Sequence, residues 1–585
     1  MRLVLKEFLT QVESKEEIVA GLKLLEPYKV LLDRIWQRVW LTELELSLVD
    51  TEPFQRLHWK LQLGTTILVY PCASHTRFEH SIGTLKGVET IIQACKNNEH
   101  RYSGARHITD YEHFLARLIA LLHDLAQMAY GHTLDKEGHV MKVEWKCSKV
   151  REELLSSTGV ITRQIRLFFN ERWKILPDKI RKGTTVEAFV GLVRNDLDWA
   201  LTAGISSSDE APPNEYLVFI SDVVGNTLSG DLLDYAQRDY VSLGMSEQGV
   251  SLLPLEFAII KNVSFDNIQL PRLVLTLWKP SKPEKMRKDV VRYLVDLFDK
   301  RCRLAENVYF HHAKIAASAM LIKAVDLSGL SCDELWSCSD VELLSRLAKW
   351  EPKNEESQEI EKSETVKSLA ERLLRRHLFK NVFECCYDEL KAKHQLDLLN
   401  PYCKGNNCNQ NQREFEKTLV SYFPTISDQQ VAAYCPDPEM NLKPFETLVW
   451  QTENDEIVPL KKVTSIDVTS IEQRHRDLWG FSVFVDPDVL TKELSAELRT
   501  VCQSLLFERE PQYQLAKVWI GKHETRLEEI AKSRGIAFAQ ILEESKNLVA
   551  DLLQKETRGR GRTMGLKAPS FSNIASILAA KGKSK

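Results

Sequence analysis

The 585-residue sequence has no apolar run long enough to span a membrane, and charged residues interrupt its start too early for a signal peptide. Its twelve cysteines show no repeated short spacing, which argues against a disulfide framework and favours free thiols in a reducing cytosol. The net charge of only −4 gives no global field that would attract nucleic acid or a membrane surface. We therefore expect a cytoplasmic protein without a membrane partner.

A His-Asp dipeptide, His123-Asp124, ends an apolar run in the first third of the sequence. From Phe114 to Leu125 the large apolar residues recur at three- and four-residue steps, which predicts a helix with one buried face. An imidazole and a carboxylate at such an edge are costly to bury without a partner, and a metal ion would pair with both. The dipeptide alone also fits a capping Asp beside a satisfied core His, so both interpretations stay open at this point.

Two further segments change this balance. His80 lies in the run SHTRFEHSIG, and Asp231 lies in the run GDLLDYAQRD, so that His80, His123-Asp124 and Asp231 form an H…HD…D pattern with gaps of 43 and 107 residues. Over Lys29 to Val325, roughly half of the chain, the sequence resembles the HD-domain phosphohydrolases. The most similar branch is the dNTP triphosphohydrolases, namely the bacterial dGTPases and the animal dNTPase that joins a SAM domain to an HD domain. We expect no SAM domain in this sequence.

The resemblance implies one divalent metal ion per subunit, held by His80, His123, Asp124 and Asp231. Two imidazoles and two carboxylates suit Mn, Mg, Fe, Ni or Co, and the lack of a thiolate argues against structural zinc. Water would attack the α-phosphate of a dNTP, which releases a deoxynucleoside and intact triphosphate. His132 is the candidate acid for the leaving oxygen, because an imidazole titrates near neutrality.

The resemblance also implies a substrate pocket that reads the sugar, the base and the phosphates. The matching residues are Gln62, Leu63, Tyr235 and Asp239 for the sugar, Tyr309 for the base, and Arg77 and Arg301 for phosphate. Independently of the resemblance, Asp231, Tyr235 and Asp239 are spaced at i, i+4 and i+8 and share one helix face. Leu63 also fits a purely structural core position, and Arg77 also fits an exposed surface position.

The sequence departs from the family pattern at three places. Gln127 replaces a histidine that holds water or phosphate in relatives, and Leu232 replaces the phosphate-binding lysine after the metal Asp. A later family histidine has no convincing counterpart, with Cys147 or Lys149 near its place. The periodicity predicts one long helix from about 285 to 325, with Arg301 and Tyr309 near one face.

The resemblance further suggests regulation by a nucleotide effector in a homo-oligomer. Lys29, Val30, Asp50 and Phe78 keep the residue types of an activator site between subunits, and His58 stands where relatives have a phosphate-binding arginine. A carboxylate such as Asp50 can accept two N–H donors of a guanine edge. The same residues also fit a helix-end cap at Asp50 and a core position at Phe78.

We expect a mainly α fold: an HD-domain helical bundle core with a mixed α/β C-terminal region that contains a small hairpin or sheet. The expected divisions are a helical lead-in (1–29), an HD phosphohydrolase domain (30–330), a C-terminal α+β region (331–554) and a basic flexible tail (555–585). The tail is either simply solvated or in contact with an acidic partner surface or nucleic acid.

Three functions stay open on the sequence. The first is metal-dependent dNTP triphosphohydrolysis, which the persistence of Gln62, Tyr235 and Asp239 favours. The second is another HD phosphohydrolase or phosphodiesterase activity, including cleavage of single-stranded nucleic acid, which Leu232 and Gln127 keep open. The third is nucleotide binding by a site that has lost catalysis, which the intact H…HD…D pattern disfavours.

Overall fold

The structure is a computed structural model that describes residues 15–583 apart from 142, 204–211, 213, 246–249, 266–267, 280–281, 353, 406, 438–446, 509–510 and 558–565. Residues 1–14 of the predicted lead-in and parts of the predicted tail therefore lie outside the described residues. The fold is mainly α-helical with small sheets, as the sequence predicts. Within the described ranges, no helix is both long and apolar enough to cross a membrane.

The helices fall into two groups along the chain. Those up to Ser328 are Glu43–Val49, Glu52–Gln55, Arg77–Asn98, Asp110–Leu122, Val143–Ser148, Val160–Arg172, Asp178–Gly183, Val186–Ala203, Tyr216–Gly225, Gly230–Ser242, Lys288–Leu304 and His312–Ser328. Those after it are Cys332–Ser337, Asp340–Ala348, Ser357–Leu374, Tyr387–Ala392, Asn400–Cys403, Cys408–Val420, Leu460–Val463, Ser465–Asp477, Lys492–Phe507, Pro511–Arg534, Phe538–Thr557 and Phe571–Lys583.

The strands of the described residues form four small sheets. Lys29–Asp33 pairs with Gln37–Leu41, and Trp278–Lys279 pairs with Lys282–Met286, both antiparallel. A three-stranded antiparallel sheet has the order Lys380–Cys386, Gly480–Val485, Val431–Tyr434.

The largest sheet joins distant parts of the chain. Its strand order is Glu456–Pro459, Leu448–Gln451, Ile268–Leu275, Ala258–Phe265, and only the central pair is parallel. Because the hairpin near residue 450 adds to strands near residue 270, the C-terminal region shares a sheet with the first half of the chain. Val449 and Leu460 accordingly belong to the hydrophobic core cluster that is formed mainly by the first half of the chain.

Local sequence signals begin the helices that carry the candidate site. At the start of Arg77–Asn98, the Thr76 hydroxyl accepts the Glu79 amide, and the Glu79 carboxylate accepts the Thr76 amide at 2.7 Å. This capping box places His80 in the first turn of a 22-residue helix. The Ser229 hydroxyl likewise accepts the amide of Leu232 and begins the helix that carries Asp231.

Glycines let the helices that carry His80 and Asp231 cross closely. A Cβ added at Gly87 would lie 2.7 Å from the Gly230 carbonyl oxygen, and one added at Gly83 would lie 1.8 Å from Asp234 Oδ1. Larger residues at either position would push the helices apart. The contact therefore brings the start of Gly230–Ser242 against the first turns of Arg77–Asn98.

The predicted continuous helix over 285–325 is wrong. Helix Lys288–Leu304 passes into a π-helical turn, Ala305–Tyr309, and the chain leaves helical geometry at His311, where ψ is 127°. His311 Nδ1 accepts the amide of Ala313 at 3.2 Å and caps the next helix. Periodicity alone carried no sign of this break, because the apolar spacing continues through it. The π turn carries Tyr309 towards the candidate site.

Part of the segment predicted as a flexible tail adopts regular structure. Residues 571–583 form a helix, and Leu566, Ile574 and Leu578 are buried in the C-terminal core cluster. The Tyr422 hydroxyl donates a hydrogen bond to the carbonyl of Leu566. The apolar residues interleaved with the basic ones explain this difference, since they give the helix a face to bury.

Candidate metal centre and adjoining pocket

Three ligand-type side chains from three separate segments converge at the crossing of these helices. Ligand atoms of His80, His123 and Asp231 all lie within 4.8 Å of one another. His80 Nε2 is 3.0 Å from Asp231 Oδ1, and the two imidazole rings are 5.3 Å apart at 76°. Two imidazole nitrogens and a carboxylate oxygen form a donor set that suits a divalent cation.

His123 is held in the tautomer that such a site requires. It is the first residue after helix Asp110–Leu122, and its Nδ1 donates a hydrogen bond to the carbonyl of Ala120 at 2.8 Å. With the proton on Nδ1, the Nε2 lone pair is left free to bind a cation. The outer partner here is part of the helix end itself, so the ring is oriented before any ligand arrives.

His80 is oriented by a carboxylate that the sequence analysis did not assign. Asp234 Oδ2 lies 2.8 Å from His80 Nδ1, and Asp234 also accepts Trp36 Nε1 at 2.8 Å. Arg238 donates to both oxygens of Asp234, at 2.8 and 2.7 Å. Burial lowers the pKa of His80, but its bonds to Asp231 and Asp234 outweigh burial and raise that pKa to about 10.

Asp234 carried a signal that sequence reasoning overlooked. It lies three residues after Asp231, which places it on the adjoining part of the same helix face. A carboxylate one turn from a ligand, facing a ligand histidine, is the usual outer partner of a metal-bound imidazole. The spacing was visible in the sequence, but the His80 contact depends on the helix crossing.

Asp124 lies beside the three clustered residues and pairs with Arg77. Asp124 Oδ2 is 2.6 Å from Arg77 Nη1, and its Oδ1 is 3.7 Å from His123 Nε2. Burial opposes ionisation of Asp124, but the charges of Arg77 and the nearby imidazoles hold its pKa well below the ordinary value. The carboxylate is therefore ionised throughout the neutral range.

Arg77 is buried rather than exposed, which removes the surface interpretation. Its side chain is 1% exposed, and Nε and Nη2 have no hydrogen-bond partner within the described part of the chain. Gly131, with φ of +41°, makes room for it, because a Cβ there would lie 2.1 Å from Nη2. Two N–H groups of a buried guanidinium are thus available to an anionic oxygen.

A distant segment holds the loop that follows the dipeptide. Arg56 donates to the carbonyls of Leu125 and Gln127, and the Trp336 indole donates to the Leu125 carbonyl at 2.9 Å. Asp340 accepts the Tyr130 amide at 2.7 Å. Trp336 and Asp340 lie more than 200 residues beyond the loop groups that they bind, and no local pattern indicated their role.

Gln127 and His132 of this loop differ in burial. The Gln127 side chain is buried, and its Oε1 has no partner among the described residues. His132 belongs to the turn Gly131–Thr133 and reaches solvent. Desolvation by the surrounding protein lowers the pKa of His132 well below its ordinary value, and the positive charges of Arg77 and Lys136 lower it further. The free protein thus carries a neutral imidazole, which becomes an acid only if bound negative charge raises that pKa.

The predicted sugar and base readers form a second cluster. The Tyr309 hydroxyl donates to Asp239 Oδ2 at 2.5 Å, and the Arg301 guanidinium lies 5.9 Å from the Tyr235 ring centroid. His75, which the sequence analysis left without a role, bonds Asp239 Oδ1 through Nε2 at 2.8 Å, while its Nδ1 has no described partner.

Gln62 and Leu63 adjoin this second cluster. The backbone N–H of Gln62 donates to the carbonyl of His75 at 3.0 Å. The buried side-chain Oε1 of Gln62 is without a partner among the described residues. Leu63 and Tyr309 both pack against the same small apolar cluster. Asp231 and Asp239 lie two turns apart on helix Gly230–Ser242, so the second cluster adjoins the candidate metal centre along one helix.

Two of the departures from the family pattern have structural consequences. Leu232 is 2% exposed and packs into the core, so its position faces away from solvent. Lys149 pairs with Glu153 and, at 3.0 Å, with Asp333, and its ammonium lies 4.1 Å from the centroid of the Trp336 ring. The ammonium of Lys149 is therefore engaged in contacts within the protein.

Most of the residues suggested for a nucleotide effector are exposed. Lys29 and Val30 are exposed on the first hairpin, and Asp50 is the exposed C-terminal cap of helix Glu43–Val49. The exposed His58 ring stacks on Phe78 at 3.6 Å, and Phe78 is partly buried against the core. The effector site therefore stays a prediction.

Comparison with known proteins gives matches along most of the chain as well as partial ones. An uncharacterized protein of Methanocaldococcus jannaschii is 23% identical over 542 residues, which is 91% of this chain and 97% of that protein. A crystal structure of a hypothetical protein from Aquifex aeolicus has a TM-score of 0.48 and 19% identity, covering 80% of this chain and 98% of that one. No protein-family model matches the sequence.

Several partial matches are to deoxynucleoside triphosphate triphosphohydrolases. The deoxynucleoside triphosphate triphosphohydrolase SAMHD1 of Danio rerio is 26% identical over 307 residues, or 51% of this chain and 45% of that enzyme. The SAMHD1 homolog of Dictyostelium discoideum is 36% identical over 107 residues, or 18% of this chain and 20% of that protein. The chain thus spans less than half of these enzymes. The similarities support an HD-domain, dNTPase-like hydrolase relationship for part of the chain.

Proposed function

We propose that this protein hydrolyses deoxynucleoside triphosphates to deoxynucleoside and triphosphate with the help of a divalent metal ion. The observation that carries the proposal is the convergence of His80, His123 and Asp231 within 4.8 Å, beside the Arg77–Asp124 pair. His80, His123, Asp124 and Asp231 would hold one ion per subunit. When bound, the ion supplies Lewis acidity towards a phosphoryl oxygen and lowers the pKa of a water molecule.

The protein residues supply binding and orientation. The unpartnered Nε and Nη2 of Arg77 bind an oxygen of the substrate phosphates, while Nη1 keeps Asp124 ionised and in place. Asp239, held by His75 and Tyr309, accepts the 3′ hydroxyl of the sugar. Tyr235 and the Gln62–Leu63 pair cover the sugar, Tyr309 borders the base, and Arg301 binds phosphate.

His132 donates the proton to the leaving 5′ oxygen. In the free protein its pKa is lowered, so the proton has to be taken up when the substrate binds. The negative charge of a triphosphate raises the pKa of a neighbouring imidazole, because it stabilises the charged form. Gln127 Oε1 accepts a hydrogen bond from the attacking water in place of the histidine of relatives.

A second candidate is a phosphodiesterase or nuclease acting on single strands. The buried Leu232 favours it, because the position of a triphosphate-binding lysine carries no charge here. A diester substrate has one negative charge per phosphate and needs fewer cations than a triphosphate.

Both candidates are tested by incubating the purified protein with each dNTP, each NTP and single-stranded DNA under Mn, Mg, Fe, Ni or Co. We expect deoxynucleoside and triphosphate from dNTPs, and no product with His123→Ala. His107→Ala is the matched control, because His107 is 74% exposed and lies outside the cluster. Cleavage of DNA without dNTP hydrolysis would support the second candidate, and activity of His123→Ala equal to the original protein would refute the site.

A further inference from the structure

Two lysines outside the sequence-predicted site lie beside His132. The position that carries a cation in related enzymes is Leu232, which is buried in the core. A triphosphate carries several negative charges, and Arg77 already shares its charge with Asp124. A site for this ligand therefore needs further cations from other elements.

Lys136 lies one turn after His132. Its amide donates to the His132 carbonyl at 3.0 Å, an i to i+4 bond that puts the two side chains on the same side of the turn. Both side chains are exposed. Within the described ranges Lys136 forms no ion pair, so its ammonium is free to meet an anion.

Lys146 approaches the same region from helix Val143–Ser148. Its side chain, 13% exposed, lines a small cavity together with His123 and the apolar residues at the end of the preceding helix. The only ion-pair partner for its ammonium within the described residues is Asp135 Oδ2, at 3.9 Å. At this distance the pair is a weak electrostatic contact, not a hydrogen bond.

Both lysines act electrostatically on the imidazole of His132. With Arg77, the charges of Lys136 and Lys146 contribute to the lowered pKa of His132, after desolvation. The charge of Asp124 opposes these positive charges, and an anion bound beside His132 would offset them further. Lys149, only three residues after Lys146, contributes nothing similar because Glu153 and Asp333 neutralise it.

We propose that Lys136 and Lys146 bind the leaving triphosphate, so that cations on the loop and helix after the dipeptide replace the one absent at Leu232. The inference rests on the proposed function, because it assigns the phosphate end of that same pocket. Two cations at this end of the pocket make the protein selective for substrates with several linked phosphates over diesters. It also explains how bound substrate converts His132 into an acid, since the phosphates compensate the field of the lysines.

The test is calorimetric binding of sodium tripolyphosphate to the full-length protein loaded with Mn²⁺. We expect Lys136→Ala and Lys146→Ala each to weaken binding by about tenfold, the size of one charge-assisted contact, and Lys146→Arg to restore most of it. Lys532→Ala is the matched control, since Lys532 is 74% exposed on a remote helix. Binding of a deoxynucleoside, which lacks phosphate, should not change in any variant.

The outcomes separate this inference from the proposed function. Unchanged tripolyphosphate affinity in both alanine variants overturns the inference, whether or not dNTPs are hydrolysed. Lysine-dependent tripolyphosphate binding in a protein that hydrolyses no dNTP supports the inference and refutes the proposed reaction. If Lys146→Ala also loses deoxynucleoside binding, its effect is structural, and the exposed Lys136→Ala decides the matter.

Discussion

Asp234→Asn is the perturbation whose size the structure lets us work out most fully. The buried carboxylate accepts four hydrogen bonds, one from His80, one from Trp36 and two from Arg238. An amide offers one acceptor oxygen and turns an NH₂ group towards the remaining donors. Breaking a buried ion pair in this way costs about 3–5 kcal/mol, and the lower end applies because Asp33 keeps a 2.9 Å bond to Arg238.

The same substitution should weaken metal binding. Removing the partner that orients a ligand histidine lowers metal affinity by about 10–100-fold, or about 1.4–2.7 kcal/mol. The gain in thermal stability on adding saturating Mn²⁺ should shrink by the same amount. Isothermal titration with Mn²⁺ gives the affinity, and melting curves with and without the ion give the stability.

Asp33→Asn is the matched control for this experiment. Asp33 contacts the same Arg238 but no ligand histidine, so its loss should lower stability while leaving Mn²⁺ affinity unchanged. Mn²⁺ affinity of Asp234→Asn equal to that of the original protein would refute the role of Asp234. Burial raises the pKa of Asp234, yet Arg238 and His80 lower it to about 2. Its stabilising contribution is therefore present above pH 3.8 and is lost as the pH falls towards 2.

Three further predictions follow from neighbouring residues. Gln127→His should keep or raise turnover, because it restores a water-holding imidazole, and a loss beyond about tenfold, ~1.4 kcal/mol of barrier, would refute this. Gly131→Ala should lower kcat/KM by more than about tenfold by displacing Arg77, since its φ of +41° and the 2.1 Å approach leave no room for a Cβ; a wild-type value would refute it. Gly521→Ala, at a glycine with open space, should change little. Asp50→Ala should remove any dependence of one dNTP's hydrolysis on a second dNTP while sparing metal binding, and a variant that keeps the dependence would count against an effector site.

The part of the site that rests on motif spacing could be predicted from sequence. The H…HD…D pattern singles out His80, His123 and Asp231, and each of them lies at the end or start of a helix. The i, i+4 and i+8 spacing of Asp231, Tyr235 and Asp239 predicts that they lie on one helix, and helix Gly230–Ser242 contains all three; their roles in substrate binding stay predictions. These relations are local to a helix, where sequence periodicity and geometry are directly linked.

The remaining parts depend on contacts between distant segments. The hydrogen bonds that Trp336 and Asp340 form with the loop after Asp124 have no local sequence signature, because their partners in the loop are backbone groups. The helix break at His311 could not be predicted, because the apolar spacing continues through it. The pairing of strand Ile268–Leu275 with strand Leu448–Gln451 could not be predicted either, because about 170 residues separate them. Lys146 was passed over because only the folded chain shows that it lines a cavity with His123.

The position of bond cleavage in a dNTP distinguishes the proposed reaction from other phosphohydrolase reactions. We would follow the products of each dNTP and Mn²⁺ by phosphorus NMR, with the reaction run in ¹⁸O-labelled water. Attack at the α-phosphate should yield deoxynucleoside and intact tripolyphosphate in equal amounts, with the label in the tripolyphosphate. Release of pyrophosphate with a deoxynucleoside monophosphate, or of orthophosphate alone, would contradict the proposed reaction even if the metal centre binds Mn²⁺ as expected.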